Sequence, residues 1–158
     1  MANAFGIIAS SGTHIKVEGL LDYRPIAAFS FLGRYRVIDF PISNMSNSDI
    51  DHIQVYIRRR PRSLVEHLGT GRHYNINSKK GRLQILFAQN SSENDVYNTD
   101  IAGYLENIEM IERVHQPYVI IAPSYMVYAA NYDTLLQISL FYITLLITPR
   151  KLFSTVIF

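Results

Sequence analysis

Between Ala9 and Ile15 the chain reads "ASSGTHI", directly after the apolar run "NAFGIIA". A strand that stops in a loop of small residues leaves its backbone N–H groups open to close approach, and such groups hold phosphate oxygens. Ala9, Ser10, Ser11, Gly12 and Thr13 are therefore candidate phosphate-binding positions. No Gly-Lys-Ser/Thr follows, so this is not a Walker A loop, and an ordinary strand-to-loop turn is an equally good reading of these residues alone. Arg24, Arg34 and Arg36 follow. A guanidinium fork suits phosphate because it donates two hydrogen bonds at once; the alternative is a solvated basic face. The run "RRRPR" at 58–62 reads as an anion site at the helix start near Pro61 rather than a nucleic-acid contact, because net charge is only +2 and no stacking motif accompanies it. His14, His52, His67, His73 and His115 lack ligand spacing, so no metal site is expected among them. Phe40, Tyr104 and Tyr118 read as core rather than as a sugar-stacking platform.

The elements that must position these groups follow from periodicity. Residues 3–9, 51–57, 83–88 and 118–122 are short apolar or β-branched runs and read as strands. Residues 61–68 fit a short helix with Pro61 at its first position and Gly69 and Gly71 as stops. Residues 100–115 form the clearest helix, with Ile101, Tyr104, Leu105, Ile108 and Ile111 on one face. Residues 10–35 read as a long loop. Strands alternating with helices predict an α/β domain with a mainly parallel sheet flanked by helices. Such sheets bind ligands at the carboxyl ends of their strands. That directs attention to residues 10–14, 58–62, Gln89 and 123–125.

The 158 residues suffice for one domain, and with 48% hydrophobic and 18% charged residues a packed core is expected. Cysteine is absent, which excludes disulfides and thiolate metal sites and fits an intracellular setting. The first residues have neither a basic segment nor a long apolar one, so no signal peptide is expected. Residues 134–149 carry no charge. Their apolar stretch is shorter than the roughly 20 residues of a spanning helix, so a buried helix-to-strand unit is expected and no membrane association.

The ordered series "ASSGTHI", "RPIAAF" and "FLGRYRVIDFPISN", continued by "NSDIDHIQVYI", "RSLVEHLGTG", "LQILFAQ", "VYNTDIAGYLENIEMIER" and "YVIIAPS", resembles the glucose-1-phosphate adenylyltransferase family over roughly residues 3–133. The resemblance implies a nucleotidyltransferase fold of the GT-A-like, Rossmann-like kind in residues 1–133. It leaves 134–158 as a divergent apolar tail and the chain ending before the family's C-terminal β-helix. It also implies that "RYRVIDFPISN" forms a short helix bracing the loop after the first strand, with its Asn and Ser residues bonding the loop backbone.

Departures from the family pattern are as informative. Catalytic members join ATP and glucose 1-phosphate with a Gly-rich loop, a loop arginine, a lysine before proline and a metal-binding aspartate. The corresponding positions here are Ala9 and Ser10, His14, Arg24, and Pro123-Ser124, while Thr99-Asp100-Ile101 replaces a sugar-side Gly-Thr-Ala triplet. Ser124 offers magnesium no carboxylate. Gln89 matches the glutamine that reads adenine in the family. These losses resemble the GlgD-type branch, which implies a non-catalytic, regulatory subunit. Such a subunit assembles with a catalytic GlgC-type homologue in the bacterial cytoplasm and supports ADP-glucose formation for glycogen synthesis. The resemblance implies no catalytic residue and no metal or other cofactor of its own, magnesium belonging to the partner. Weak binding of ATP or ADP-glucose through Ala9–Thr13, Arg24 and Gln89 is expected, and no nucleic acid. The alternatives are a truncated fragment that only mediates interactions and a weakly active nucleotidyltransferase.

Overall fold

The computed structural model describes residues 3–9, 19, 24–58, 60–76, 81–87, 100–146 and 156–157, with side chains up to residue 140. Five of its strands form one sheet: β1 (Ala4–Ala9), β4 (His52–Ile57), β5 (Arg82–Phe87), β6 (Tyr118–Pro123) and β7 (Val156–Ile157). Their order is β5-β4-β1-β6-β7, and every pairing is parallel. Central β1 is buried at all six positions. A strand covered on both faces needs the continuous apolar run that "AFGIIA" supplies.

Two helical layers cover the sheet. On one face Ile8, Ile53, Val55 and Ile120 pack with α1 (Asp39–Ser46), α2 (Arg62–Leu68) and the start of α5 (Tyr132–Leu146), through Ile42, Met45, Leu64, Leu68, Tyr132 and Leu136. On the other, Phe5, Ile7, Tyr56 and Leu86 meet Tyr104 of α3 (Asp100–Glu106), Met110 and Ile111 of α4 (Ile108–Glu112), and Val114. Alternation along each strand divides its residues between these two cores.

Several expectations need correcting. Residues 24–36 are not simply loop: they hold a 3-10 turn at Ile26–Ala28, whose Ala27 and Ala28 are buried, and an antiparallel hairpin of β2 (Ser30–Phe31) and β3 (Tyr35–Arg36). The single helix expected at 100–115 is two. It breaks at Asn107, whose amide donates back to the Gly103 carbonyl at 3.0 Å. Tyr104 and Ile111 reach the core, while Ile101, Leu105 and Ile108 are exposed. Pro61 caps α2 from outside rather than opening it. The helix-to-strand unit after residue 131 is present as α5 and β7, but Leu135 and Ile138 face solvent rather than being buried. The boundary between residues 133 and 134 falls in the first turn of α5.

Pro41 sits within α1 at no cost to hydrogen bonding. It is the third helical residue, where an N–H would have no partner inside the helix.

Candidate functional site

Sheet topology selects one crevice. From β1 the chain moves outward through β4 to β5, then returns to place β6 on the opposite side of β1. Ligands of open α/β sheets bind where the strand order reverses, beyond the carboxyl ends of the two strands. Here those ends are Ala9 and Pro123, which stand opposite each other in register. The Ser124 N–H donates to the Ala9 carbonyl at 2.9 Å. Two sequence-predicted positions 115 residues apart are thereby joined, and Ser124 is buried.

The other predicted groups fall differently. Ser10, Ser11, Gly12, Thr13, His14 and Gln89 lie outside the described residues. Arg24 is exposed, just before Pro25 and the 3-10 turn anchored by Ala27 and Ala28. Arg34 is also exposed, at the hairpin tip. Arg36 is committed elsewhere: its guanidinium donates to the Ser63 carbonyl, and its backbone N–H donates to Asp39 Oδ2 at 2.8 Å. In the basic run, Arg58 pairs with Asp100 at 3.2 Å and Arg62 with Glu66 at 2.9 Å. The Arg58 and Arg62 guanidinium groups therefore already face carboxylates.

Among the described residues, Ala9, Pro123 and Ser124 at the crevice bring magnesium no carboxylate. Ser124 offers a neutral hydroxyl at the end of β6. Asp100 is paired with Arg58, and Asp133 accepts from the Gln137 amide at 2.9 Å. Among the described residues no group of three or more His, Cys, Asp or Glu side chains is placed to hold a metal ion.

Beside the crevice, α1 is held by polar bonds that sequence reasoning assigned to the loop after β1. Asn44 donates to the Tyr128 carbonyl at 2.9 Å, and Ser46 to the Tyr74 carbonyl. Ser48 donates to the Asn44 carbonyl and accepts the Tyr132 N–H at 2.9 Å. The small polar residues of "SNMSNS" thus tie α1 to the start of α5 and to the 3-10 turn at Arg72–Tyr74. Asn131 caps α5, its side chain accepting the Thr134 N–H at 3.1 Å. Bonds from α1 to the loop itself lie outside the described residues.

Sequence reasoning missed two buried polar clusters. Asp39, at the start of α1, accepts from the Tyr74 hydroxyl at 2.7 Å and faces His67 Nε2 at 2.6 Å. Burial pushes the Tyr74 phenol far up, and the Asp39 carboxylate adds to the effect. At the carboxyl end of β4, the Arg58–Asp100 pair stands beside Tyr104, whose phenol is pushed up by burial first and by Asp100 second. Asp100 in the first turn of α3 also complements the helix dipole. The one signal available was position: a cation directly after a strand, and an acid at a helix start.

A family model described as nucleotidyl transferase matches residues 5–139. The chain belongs to the nucleotidyl transferase family. The match spans all four long strands and both strands of the crevice. Three relatives narrow the neighbourhood. The glycogen biosynthesis protein GlgD of Geobacillus stearothermophilus is 34% identical over 138 residues, covering 84% of this chain and 39% of that protein. A glucose-1-phosphate adenylyltransferase of Clostridium perfringens is 37% identical over 111 residues, 70% of this chain and 29% of its own. That of Thermotoga neapolitana is 31% identical over 138 residues, 87% and 33%. The chain therefore spans less than two-fifths of the length of these relatives. Among the described residues, no helix is long and apolar enough to cross a membrane.

Proposed function

We propose that this nucleotidyl transferase domain belongs to a GlgD-type, non-catalytic subunit. In this reading it acts in the bacterial cytoplasm beside a catalytic glucose-1-phosphate adenylyltransferase and supports that enzyme's production of ADP-glucose for glycogen synthesis. The observation that carries the reading is Ser124. It stands at the end of β6, in the crevice beside Ala9, where metal-assisted transfer of a nucleotidyl group calls for a carboxylate. Similarity to a protein named glycogen biosynthesis protein GlgD supports the same branch.

The chain needs no metal of its own under this reading. Backbone groups after Ala9, with Arg24 and Gln89, retain weak affinity for ATP or ADP-glucose. A Kd of about 1 mM is expected, equivalent to about −4 kcal/mol, and magnesium adds little.

The purified chain, given ATP, glucose 1-phosphate and magnesium, should release no pyrophosphate above background. Mixed with a catalytic adenylyltransferase, it should co-elute with that enzyme and change its rate. Magnesium-dependent pyrophosphate release by the chain alone would show it to be a transferase in its own right. Failure to co-elute would remove the subunit role.

A further inference from the structure

The sheet face covered by α3 and α4 is apolar over only part of its extent. Phe5, Ile7, Tyr56 and Leu86 form its core. Two-residue alternation puts His52 and Gln54 on the same side of β4 as Tyr56, and Arg82 and Gln84 on the same side of β5 as Leu86. Register pairs His52 with Arg82 and Gln54 with Gln84. An inward strand face normally carries apolar residues at such positions. Here two cross-strand pairs on that side, toward the amino-terminal ends of β4 and β5, are polar or basic, and Arg82 is exposed at the rim.

Gln54 is spent on structure. It is 2% exposed, its amide donates to the Met110 carbonyl at 3.0 Å, and its oxygen accepts from the Tyr56 hydroxyl at 3.1 Å. That anchors α4 over the face. The remaining polar groups open onto a pocket of about 410 Å³, whose apolar lining is Met110 and Val114. The segment leaving α4 contributes Arg113, His115 and Gln116 to its wall. Among the described residues, the titratable ones lining the pocket are basic: His52, Arg82, Arg113 and His115. Gln84 and Gln116 add amide donors. The Gln116 amide nitrogen lies 3.1 Å from His52 Nδ1. An amide nitrogen can only donate, so Nδ1 accepts and the neutral ring carries its proton on Nε2. Arg113 also meets Glu109 at 3.6 Å, but both side chains are exposed, and such a pair gives way readily to a better anion.

We propose that this pocket binds a small phosphorylated ligand. Two guanidinium forks and two imidazoles, with no carboxylate among the described lining residues, match a compact dianion, which two arginines can grip bidentately. The volume lies within the range of small-molecule sites and exceeds what phosphate alone fills, so the ligand is a phosphomonoester with a small organic body resting on Met110 and Val114. The pocket lies at the opposite end of the strands from the crevice at Ala9 and Ser124. It stands whether or not the chain is a non-catalytic subunit.

Titration calorimetry of the full chain with inorganic phosphate and with glycerol 2-phosphate tests it, joined to NMR of the imidazole side chains. Both probes should bind, the ester more tightly, and the His52 and His115 signals should move while that of His67 stays. The double substitution Arg82→Gln, Arg113→Gln should raise Kd at least about tenfold, whereas Arg72→Gln, at an exposed residue of the 3-10 turn outside the pocket lining, should leave it within about twofold. Arg82→Lys, which keeps the charge and loses the fork, should fall between, and serves if the double variant fails to fold by circular dichroism. Overturning results are no binding by the unaltered chain, binding indifferent to Arg82 and Arg113, or loss of binding on Arg24→Ala with the His52 and His115 signals unmoved.

Discussion

Asp39 gathers three donors in a space nearly closed to water: the Arg36 N–H, the Tyr74 hydroxyl and His67 Nε2. Each belongs to a different element, so one carboxylate fastens the hairpin, the 3-10 turn and α2 to the start of α1. Removing it leaves buried donors unpaired, and the cost of such groups exceeds the value of the bonds themselves. Asp39→Ala should lower stability by about 3 kcal/mol in urea unfolding, and Tyr74→Phe by about 1 kcal/mol. Equal, small losses from both would show that the cluster is not cooperative. The tyrosines also set an alkaline limit. Burial pushes Tyr56 up to about 12 from 10.0, and burial likewise raises Tyr74, Tyr104 and Tyr132. The unfolded chain releases these protons near pH 10 while the native state keeps them, so stability is full below pH 10 and falls as pH rises toward about 12. The urea midpoint should drop steadily over that window, and Tyr56→Phe should flatten part of the slope. A midpoint indifferent to pH across it would contradict the assignment.

At the level of elements, two glycines are required by close approach rather than by turns. A Cβ on Gly81 would stand 2.3 Å from Asp51 Cβ and 2.6 Å from the Asp51 carbonyl oxygen. That carbonyl also accepts the Arg82 N–H at 2.9 Å, so the entry of β5 cannot shift without loosening its bond to the segment leading into β4. A Cβ on Gly6 would meet Met45 Sδ at 2.3 Å, but a thioether near the end of an unbranched side chain can turn aside. Gly81→Ala should therefore destabilise by about 3 kcal/mol and Gly6→Ala by about 1 kcal/mol, read from thermal or urea unfolding. The reverse order would mean that the α1–β1 contact, not the β4–β5 edge, is the tighter one.

At the scale of the whole molecule, the exposed apolar side chains among the described residues include pairs on two helices. Ile101 and Leu105 of α3 are each 64% exposed, and Leu135 and Ile138 of α5 are 46% and 48% exposed. Exposed apolar groups on neighbouring helical turns favour association between molecules. The isolated chain should self-associate with rising concentration in light scattering. Leu135→Glu with Ile138→Glu should shift it toward monomer without lowering the unfolding midpoint by more than about 0.5 kcal/mol. A monodisperse monomer throughout would contradict the prediction.

Local pattern by itself determined much of the architecture. The runs "AFGIIA" and "YVIIA" are strands because a doubly covered parallel strand calls for consecutive apolar residues, and "HIQVYI" and "LQILF" because most of their residues are apolar or β-branched. The ordered series of family-like segments also pointed to the nucleotidyl transferase family that the match over residues 5–139 establishes. Tertiary structure alone decided which distant groups meet. Helical periodicity placed Ile101 and Leu105 with Tyr104 on one buried face, yet α3 packs on the sheet through Tyr104 and leaves the other two exposed. Arg36 has the chemistry of a phosphate ligand, but packing against α2 commits it to the Ser63 carbonyl. Ser124 and Ala9, Arg58 and Asp100, and the four basic residues of the second pocket are neighbours only because parallel register and strand order bring them together. Periodicity reports which face of an element is buried; the partner on the other side of a polar contact comes from another element, and no local spacing encodes it.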